Sequence, residues 1–307
     1  MLLYNTFVLP RMPRLMLRFV IHSLLLLWAT APVSAAPLKV VTSIYPLQLI
    51  AQAVLGPEAE VRTLLAAGQS PHNFALKVSD RRQLAGADLI LWVGPKLEPY
   101  LVDITSTSSS LAMSDETMID AHPNHRSHNH DSDSHLWLSS REVEGFVRRL
   151  AQLVVDRELL TSSNVTQNTE GFVAELTSLR SLYVQKRTPK PYAVAHRAYD
   201  HFLESIPFPE PITLSASPEM SPGARTLWRA GKSLAKGSCL IVDGGSSQRW
   251  LQAFAQRNQL TIKKVDLMGN RSDVSTYNEL IRGLAEVFES CSGETGGEEK
   301  TPALVNK

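Results

Sequence analysis

From Leu38 onward, short apolar runs rich in β-branched residues alternate with stretches whose apolar positions recur at helical spacing. Leu38–Thr42, Glu60–Leu65 and Leu89–Val93 read as strands, with helices over Leu47–Leu55, Ser79–Ala85 and Glu98–Val102. Such alternation joins parallel strands through helical crossovers. Ser139 with Glu142 forms a capping-box pattern, and Val143, Phe146, Val147, Leu150 and Val154 follow on one helical face. After a polar break at Thr161–Asn164, the stripe Phe172, Leu176, Leu179 and Tyr183 predicts one long helix over 162–187. A second alternation follows, with Tyr192–Ala195, Ile212–Leu214, Cys239–Val242 and Thr261–Val265 as strands. Ser221 and Pro222 read as the cap and first-turn proline of one intervening helix. Tyr277, Leu280, Ile281, Leu284, Phe288 and Cys291 stripe the last helix. The expectation is an α/β fold of two lobes, 36–161 and 188–292. Each has a central, mainly parallel sheet flanked by helices; the long helix joins them and a polar tail, 293–307, follows.

The ends of the chain change the picture of its compartment. Arg11, Arg14 and Arg18 precede the apolar run Phe19–Trp28, and Val33-Ser34-Ala35 supplies small residues before a cut. Residues 1–35 therefore read as a cleaved secretory signal, with translation starting as late as Met12 or Met16. The apolar run is shorter than the roughly 20 residues of a membrane-spanning helix. No cysteine marks a lipoprotein anchor. The formal balance goes from 31 − 30 = +1 for the whole chain to 28 − 30 = −2 without that segment, which leaves no electrostatic footprint for nucleic acid. The two cysteines, Cys239 and Cys291, lie in the exported part. In an oxidising compartment such a pair is a disulfide more readily than a ligand set, and paired zinc-thiolate spacing is absent. It would tie the last helix to the sheet of its own lobe.

Candidate chemistry rests on histidine. His72, His135 and His196 each stand where a strand-like run gives way to a helix-like one, and Asp266 directly follows the strand Thr261–Val265. Ligands of open α/β sheets collect beyond the carboxyl ends of strands, so these residues, two from each lobe, would meet in the cleft between lobes. Three imidazoles with a carboxylate or water suit tetrahedral zinc. Each residue alone reads as blandly: a lone loop histidine as a surface hydrogen-bonding group, Asp266 as a turn residue, Trp92 and Trp137 as core aromatics. A separate tract, His122, His125, His128 and His130 within 121–134, has almost no apolar side chains and faces water. It reads equally as an auxiliary zinc site or as a solvated insertion.

The combination resembles the periplasmic metal-binding proteins of ABC transporters for zinc and manganese, in the zinc-uptake, ZnuA-like branch. The resemblance runs from Val40-Val41-Thr42-Ser43-Ile44-Tyr45-Pro46 to the last helix. It is carried by Gly68-Gln-Ser-Pro-His72-Asn-Phe74, Ala87-Asp88-Leu-Ile-Leu-Trp92-Val-Gly94, His135-Leu-Trp-Leu-Ser139, His196 with Tyr199, and Ser217-Pro218-Glu219. It implies a periplasmic receptor, monomeric, that captures Zn²⁺ and delivers it to a membrane permease. His72, His135 and His196 would be ligands, and Asp266 or water the fourth. A histidine at 196, where manganese members tend to carry a carboxylate, points to zinc. Asn73 stands where the family often has aspartate, which implies weaker carboxylate support for His72. Asp243-Gly244-Gly245 replaces a Glu-Pro-Gln-like turn. The rival class is a zinc hydrolase, but no His-Glu-x-x-His arrangement supplies a base, and Glu219 reads as a helix-entry residue. An adhesin on the same fold is a third reading.

Overall fold

The computed structural model describes residues 36–114, 133–183, 190–244, 249–270 and 274–292. The predicted export signal 1–35, the tract His122–His130 and the tail 293–307 lie outside the described residues. The described residues from Pro37 on belong to one compact unit.

Eight strands form two sheets of four, parallel throughout. In the first, β1 (Leu38–Thr42) lies between β2 (Ala59–Thr63) and β3 (Leu89–Trp92), with β4 (Ser110–Ala112) beyond β3. In the second, β5 (Ala193–His196) lies between β6 (Ile212–Ser215) and β7 (Cys239–Asp243), with β8 (Thr261–Val265) beyond β7. β3 and β5 are buried along their whole length, and for that reason read as near-continuous apolar runs rather than alternating ones. Edge strands β2 and β8 are partly exposed.

The helices are α1 (Tyr45–Leu55), α2 (Val78–Ala85), α3 (Val102–Thr105), α4 (Ser140–Asp156), α5 (Ser162–Leu182), α6 (Asp200–Ser205), α7 (Ala224–Ser233), α8 (Arg249–Asn258) and α9 (Tyr277–Ser292). Ser139 caps α4: its Oγ accepts the Glu142 N–H at 3.2 Å, one arm of the predicted capping box. The stripe Val143, Phe146, Val147, Leu150 and Val154 is buried as its spacing requires. Along α5, Val165, Phe172, Leu176 and Leu179 pack into a core that holds Val40 and Leu91 of the first sheet together with Val194 and Ile241 of the second. Because that core runs through both lobes, wide separation would expose apolar surface at about 25 cal/mol per Å². The fold therefore opposes a large hinge opening.

Several expectations are corrected. α7 begins at Ala224 with Gly223 at the cap position, so Ser221 and Pro222 precede the helix. Ser215 Oγ donates towards the carbonyls of Ser217 (2.9 Å) and Met220 (2.6 Å), curling the intervening residues into a turn and delaying the helix. The stretch read as a helix over Glu98–Val102 is a 3-10 turn, Pro99–Leu101, that runs into α3. α5 ends at Leu182, and 184–189 lie outside the described residues. His196 is the last residue of its strand rather than the first beyond it.

The two cysteines are bonded. Their Cα atoms stand 5.5 Å apart, and the bridge joins the start of β7 to the end of α9.

Candidate metal centre

Strand order reverses direction from β1 to β2 on one side and to β3 on the other, and likewise around β5, which opens a crevice beyond the carboxyl ends of each sheet. The two crevices face each other across a cleft of about 690 Å³. Its walls come from positions at or after strand ends: Gly68–Asn73 after β2, His135 and Trp137 after β4, His196 ending β5, Glu219 after β6, Asp243 ending β7 and Asp266 after β8.

His72 sits in a 3-10 turn, Pro71–Asn73, whose start is fixed by Ser70: its Oγ accepts the His72 backbone N–H at 3.3 Å. Across the first lobe, His72 Nε2 and His135 Nε2 are 3.3 Å apart. The two rings are in hydrogen-bond contact there, at a separation close to the roughly 3.3–3.4 Å between two nitrogens of a tetrahedral site with ligands about 2.0–2.1 Å from zinc.

The tautomer of His135 is set by Asp133. Asp133 Oδ1 accepts both the His135 backbone N–H at 2.9 Å and the ring Nδ1–H at 2.7 Å, while Oδ2 accepts the Asp200 N–H at 3.0 Å. A carboxylate can only accept, so the neutral ring carries its proton on Nδ1 and presents a bare Nε2 lone pair to the cleft. Burial pushes the Asp133 carboxyl up, but the hydrogen bonds and charge of His135 outweigh it and hold the group well below the usual carboxylate range.

His196 is 2 % exposed and its ring centroid lies 5.5 Å from that of His135. Asp243 Oδ1 stands 3.3 Å from His196 Nδ1 but out of line for a hydrogen bond, so neither ring nitrogen has a hydrogen-bond partner among the described residues. Asp266 lines the same cleft, and its Oδ1 accepts the Met268 N–H at 3.0 Å within the turn that follows β8. The three histidines are thus brought together, His72 and His135 from the first lobe and His196 from the second, and Asp266 lines the same cleft from the second lobe. Among the described residues no group of three His, Cys, Asp or Glu side chains stands in a preformed coordination arrangement.

Three residues at or next to the site take roles that the sequence reading does not assign them. Asp133 belongs by sequence to the polar tract 121–134, yet it is 3 % exposed and holds His135; its position two residues before the histidine is the available signal. Asp243 ends its strand just as His196 does, so the same strand-end rule applied to it. Glu219 is an exposed part of the cleft wall rather than a helix-entry residue, because α7 starts five residues later. Trp92 is core as expected. Trp137 is core and wall at once, 1 % exposed with its ring 5.0 Å from that of His135.

Burial and, next, the neighbouring His135 lower the His72 pKa from 6.5 to about 4. A cationic group whose folded pKa is depressed costs stability as pH falls from the unfolded value towards the folded one, because only the unfolded chain takes up the proton there. Metal-free wild type should therefore lose stability between pH 6.5 and 4 relative to His72→Asn, by about 2 kcal/mol after discounting for partial exposure. Urea midpoints of both proteins at pH 7.5 and 4.5 check this; parallel pH dependence would contradict it.

Two α/β lobes that share one core and line one cleft between them are the architecture of a solute-binding protein. The profile of the family described as "ZnuA: Zinc-uptake complex component A periplasmic" matches residues 40–291, and the chain belongs to that family. Members are periplasmic zinc receptors of ABC transporters, not enzymes. The chain is 27 % identical over 300 residues to the high-affinity zinc uptake system protein ZnuA of Yersinia pestis, covering 85 % of this chain and 93 % of that one. It is 24 % identical over 293 residues to the ZnuA of Haemophilus ducreyi, covering 84 % and 94 %. Among solved structures, the periplasmic zinc binding protein TroA from Treponema pallidum shares the fold with a TM-score of 0.68 at 16 % identity, covering 84 % of this chain and all (100 %) of that one.

Proposed function

We propose that His72, His135 and His196 bind one Zn²⁺ in the inter-lobe cleft, that Asp266 supplies the fourth ligand, and that the loaded protein hands the ion to its membrane permease. The observation that carries this reading is the His72–His135 pair, 3.3 Å apart at Nε2, with one ring already held in the metal-ready tautomer by Asp133. A turn of the His196 ring would bring Nδ1–H into line with Asp243 and free Nε2 for the ion. Asp266 would exchange its bond to the Met268 N–H for the metal. Those are side-chain and turn movements, which suit two lobes that share one core. Imidazole-dominated sites favour zinc over the harder manganese.

Residues 1–35 act as a cleaved export signal in this reading, so the mature protein starts near Ala36 or Pro37 and works in the periplasm as a monomer. The tract His122–His130 supplies a weaker second affinity for zinc, separate from the cleft.

Competitive titration of the mature protein against a chromophoric chelator tests the assignment. One tight zinc is expected in the wild type, and none in His72→Ala. Asp266→Ala should weaken binding about 10- to 100-fold, less than loss of a histidine, because water can take the fourth position. A tight zinc retained by His72→Ala would overturn the ligand set.

A further inference from the structure

One side chain is bonded into both walls of the cleft. Trp137 follows His135 by two residues in the 3-10 turn Leu136–Leu138, and its ring packs against the His135 imidazole at 5.0 Å between centroids. Its indole Nε1–H crosses to the other lobe and donates to the Leu267 carbonyl at 2.8 Å. Its own carbonyl accepts the Tyr277 hydroxyl at 2.9 Å. Leu267 is the residue after Asp266, in a turn that belongs to no helix or strand. The Asp266 carboxylate bonds within the turn, and the indole supplies a hydrogen bond that ties this turn to the opposite lobe. Gly269 completes the turn at φ +67°, where a Cβ would come within 3.3 Å of the Tyr45 ring, so the first lobe also packs against it there.

We propose that Trp137 is a positioning residue that fixes the Asp266 turn relative to His135, so that zinc leaves the site only when the Trp137–Leu267 hydrogen bond has opened. The inference rests on the assignment of Asp266 as a ligand. Its physical basis is that a buried carbonyl deprived of its donor is costly, so the turn stays in register with His135 while the indole N–H is present. The two lobes need not swing: displacing this one turn, with the indole bond opened, removes one ligand.

Trp137→Phe keeps an aromatic ring against His135 and removes only the donor. Chelator-driven zinc release, followed by stopped flow, should be about tenfold faster in this variant, the change expected from one unsatisfied buried acceptor. In an Asp266→Ala background the same substitution should change the rate less than twofold, because the ligand it positions is gone. Tyr277→Phe deletes the neighbouring hydrogen bond to the Trp137 carbonyl without touching the indole, and should lower stability while leaving release within twofold of wild type. Gly269→Ala strains the same turn from outside Trp137 and should behave as Trp137→Phe does, which keeps the test open if the latter does not fold. Equal acceleration by Trp137→Phe with and without Asp266, or by Tyr277→Phe, would overturn the inference while leaving the ligand set intact. An Asp266→Ala protein that binds zinc as wild type does would instead remove the ligand assignment, and the inference with it.

Discussion

His196→Leu should leave the metal-free protein about as stable as the wild type while weakening zinc binding roughly a hundredfold or more. The stability half follows from the ring's surroundings. His196 is 2 % exposed, and both ring nitrogens lack a hydrogen-bond partner among the described residues. A buried polar group left unsatisfied costs about 1–3 kcal/mol. Leucine is of similar size and carries no polar atom, so the repacking cost of about 1.5 kcal/mol or less is offset by removal of that penalty. The binding half follows from coordination. Apparent zinc affinities of roughly 10–16 kcal/mol for four-ligand structural sites correspond to about 3 kcal/mol per ligand, or on the order of a hundredfold. Thermal unfolding with and without excess zinc measures both at once. Wild type should gain about 4 kcal/mol at a thousandfold excess over Kd, and the variant much less at the same zinc concentration. A variant that keeps the full zinc-induced gain would show that His196 is not a ligand. A large loss of metal-free stability would show that the ring is held by its surroundings, Asp243 at 3.3 Å among them, without the ion.

Replacing Cys239 and Cys291 together by alanine should cost about 4 kcal/mol of stability and leave the zinc affinity within about threefold. The bond closes a loop of 52 residues in sequence separation, for which chain-entropy reasoning gives about 4 kcal/mol within an empirical range of roughly 2–5. Alanine avoids burying two hydroxyls where the cysteines are 7 % and 2 % exposed. The separation of stability from binding is geometric. Cys239 opens β7 and Asp243 closes it, so at about 3.3 Å per residue the bridge lies roughly 13 Å from the cleft end of that strand. Urea unfolding and chelator competition on the same protein check the pair of statements. A parallel loss of affinity would mean that the bridge shapes the site, and unchanged stability would mean that α9 holds to the sheet without it.

Strand and helix placement was largely legible from periodicity, and the exceptions have local causes. β4, Ser110–Ala112, is three residues long and only partly buried, so no apolar run announces it. The start of α7 was misplaced because Ser221-Pro222 satisfies the local rule for a helix entry. Contacts of Ser215 with the Ser217 and Met220 carbonyls hold that segment in a turn, and Glu219 joins the cleft wall in consequence.

The candidate site divides in the same way. His72, His135, His196 and Asp266 were recognisable because strand ends in parallel sheets point to one place, and a strand end is a short-range property of the chain. Asp133, two residues from His135, was within reach of the same kind of argument. The 3.3 Å separation of His72 from His135, the approach of Asp243 to His196, and the indole bond from Trp137 to Leu267 join residues 63, 47 and 130 positions apart. Those distances are set by sheet order and by how two lobes pack around one shared core, which act between elements remote in sequence. Periodicity along a chain reports which face of an element is buried; it carries no measure of what that face will meet.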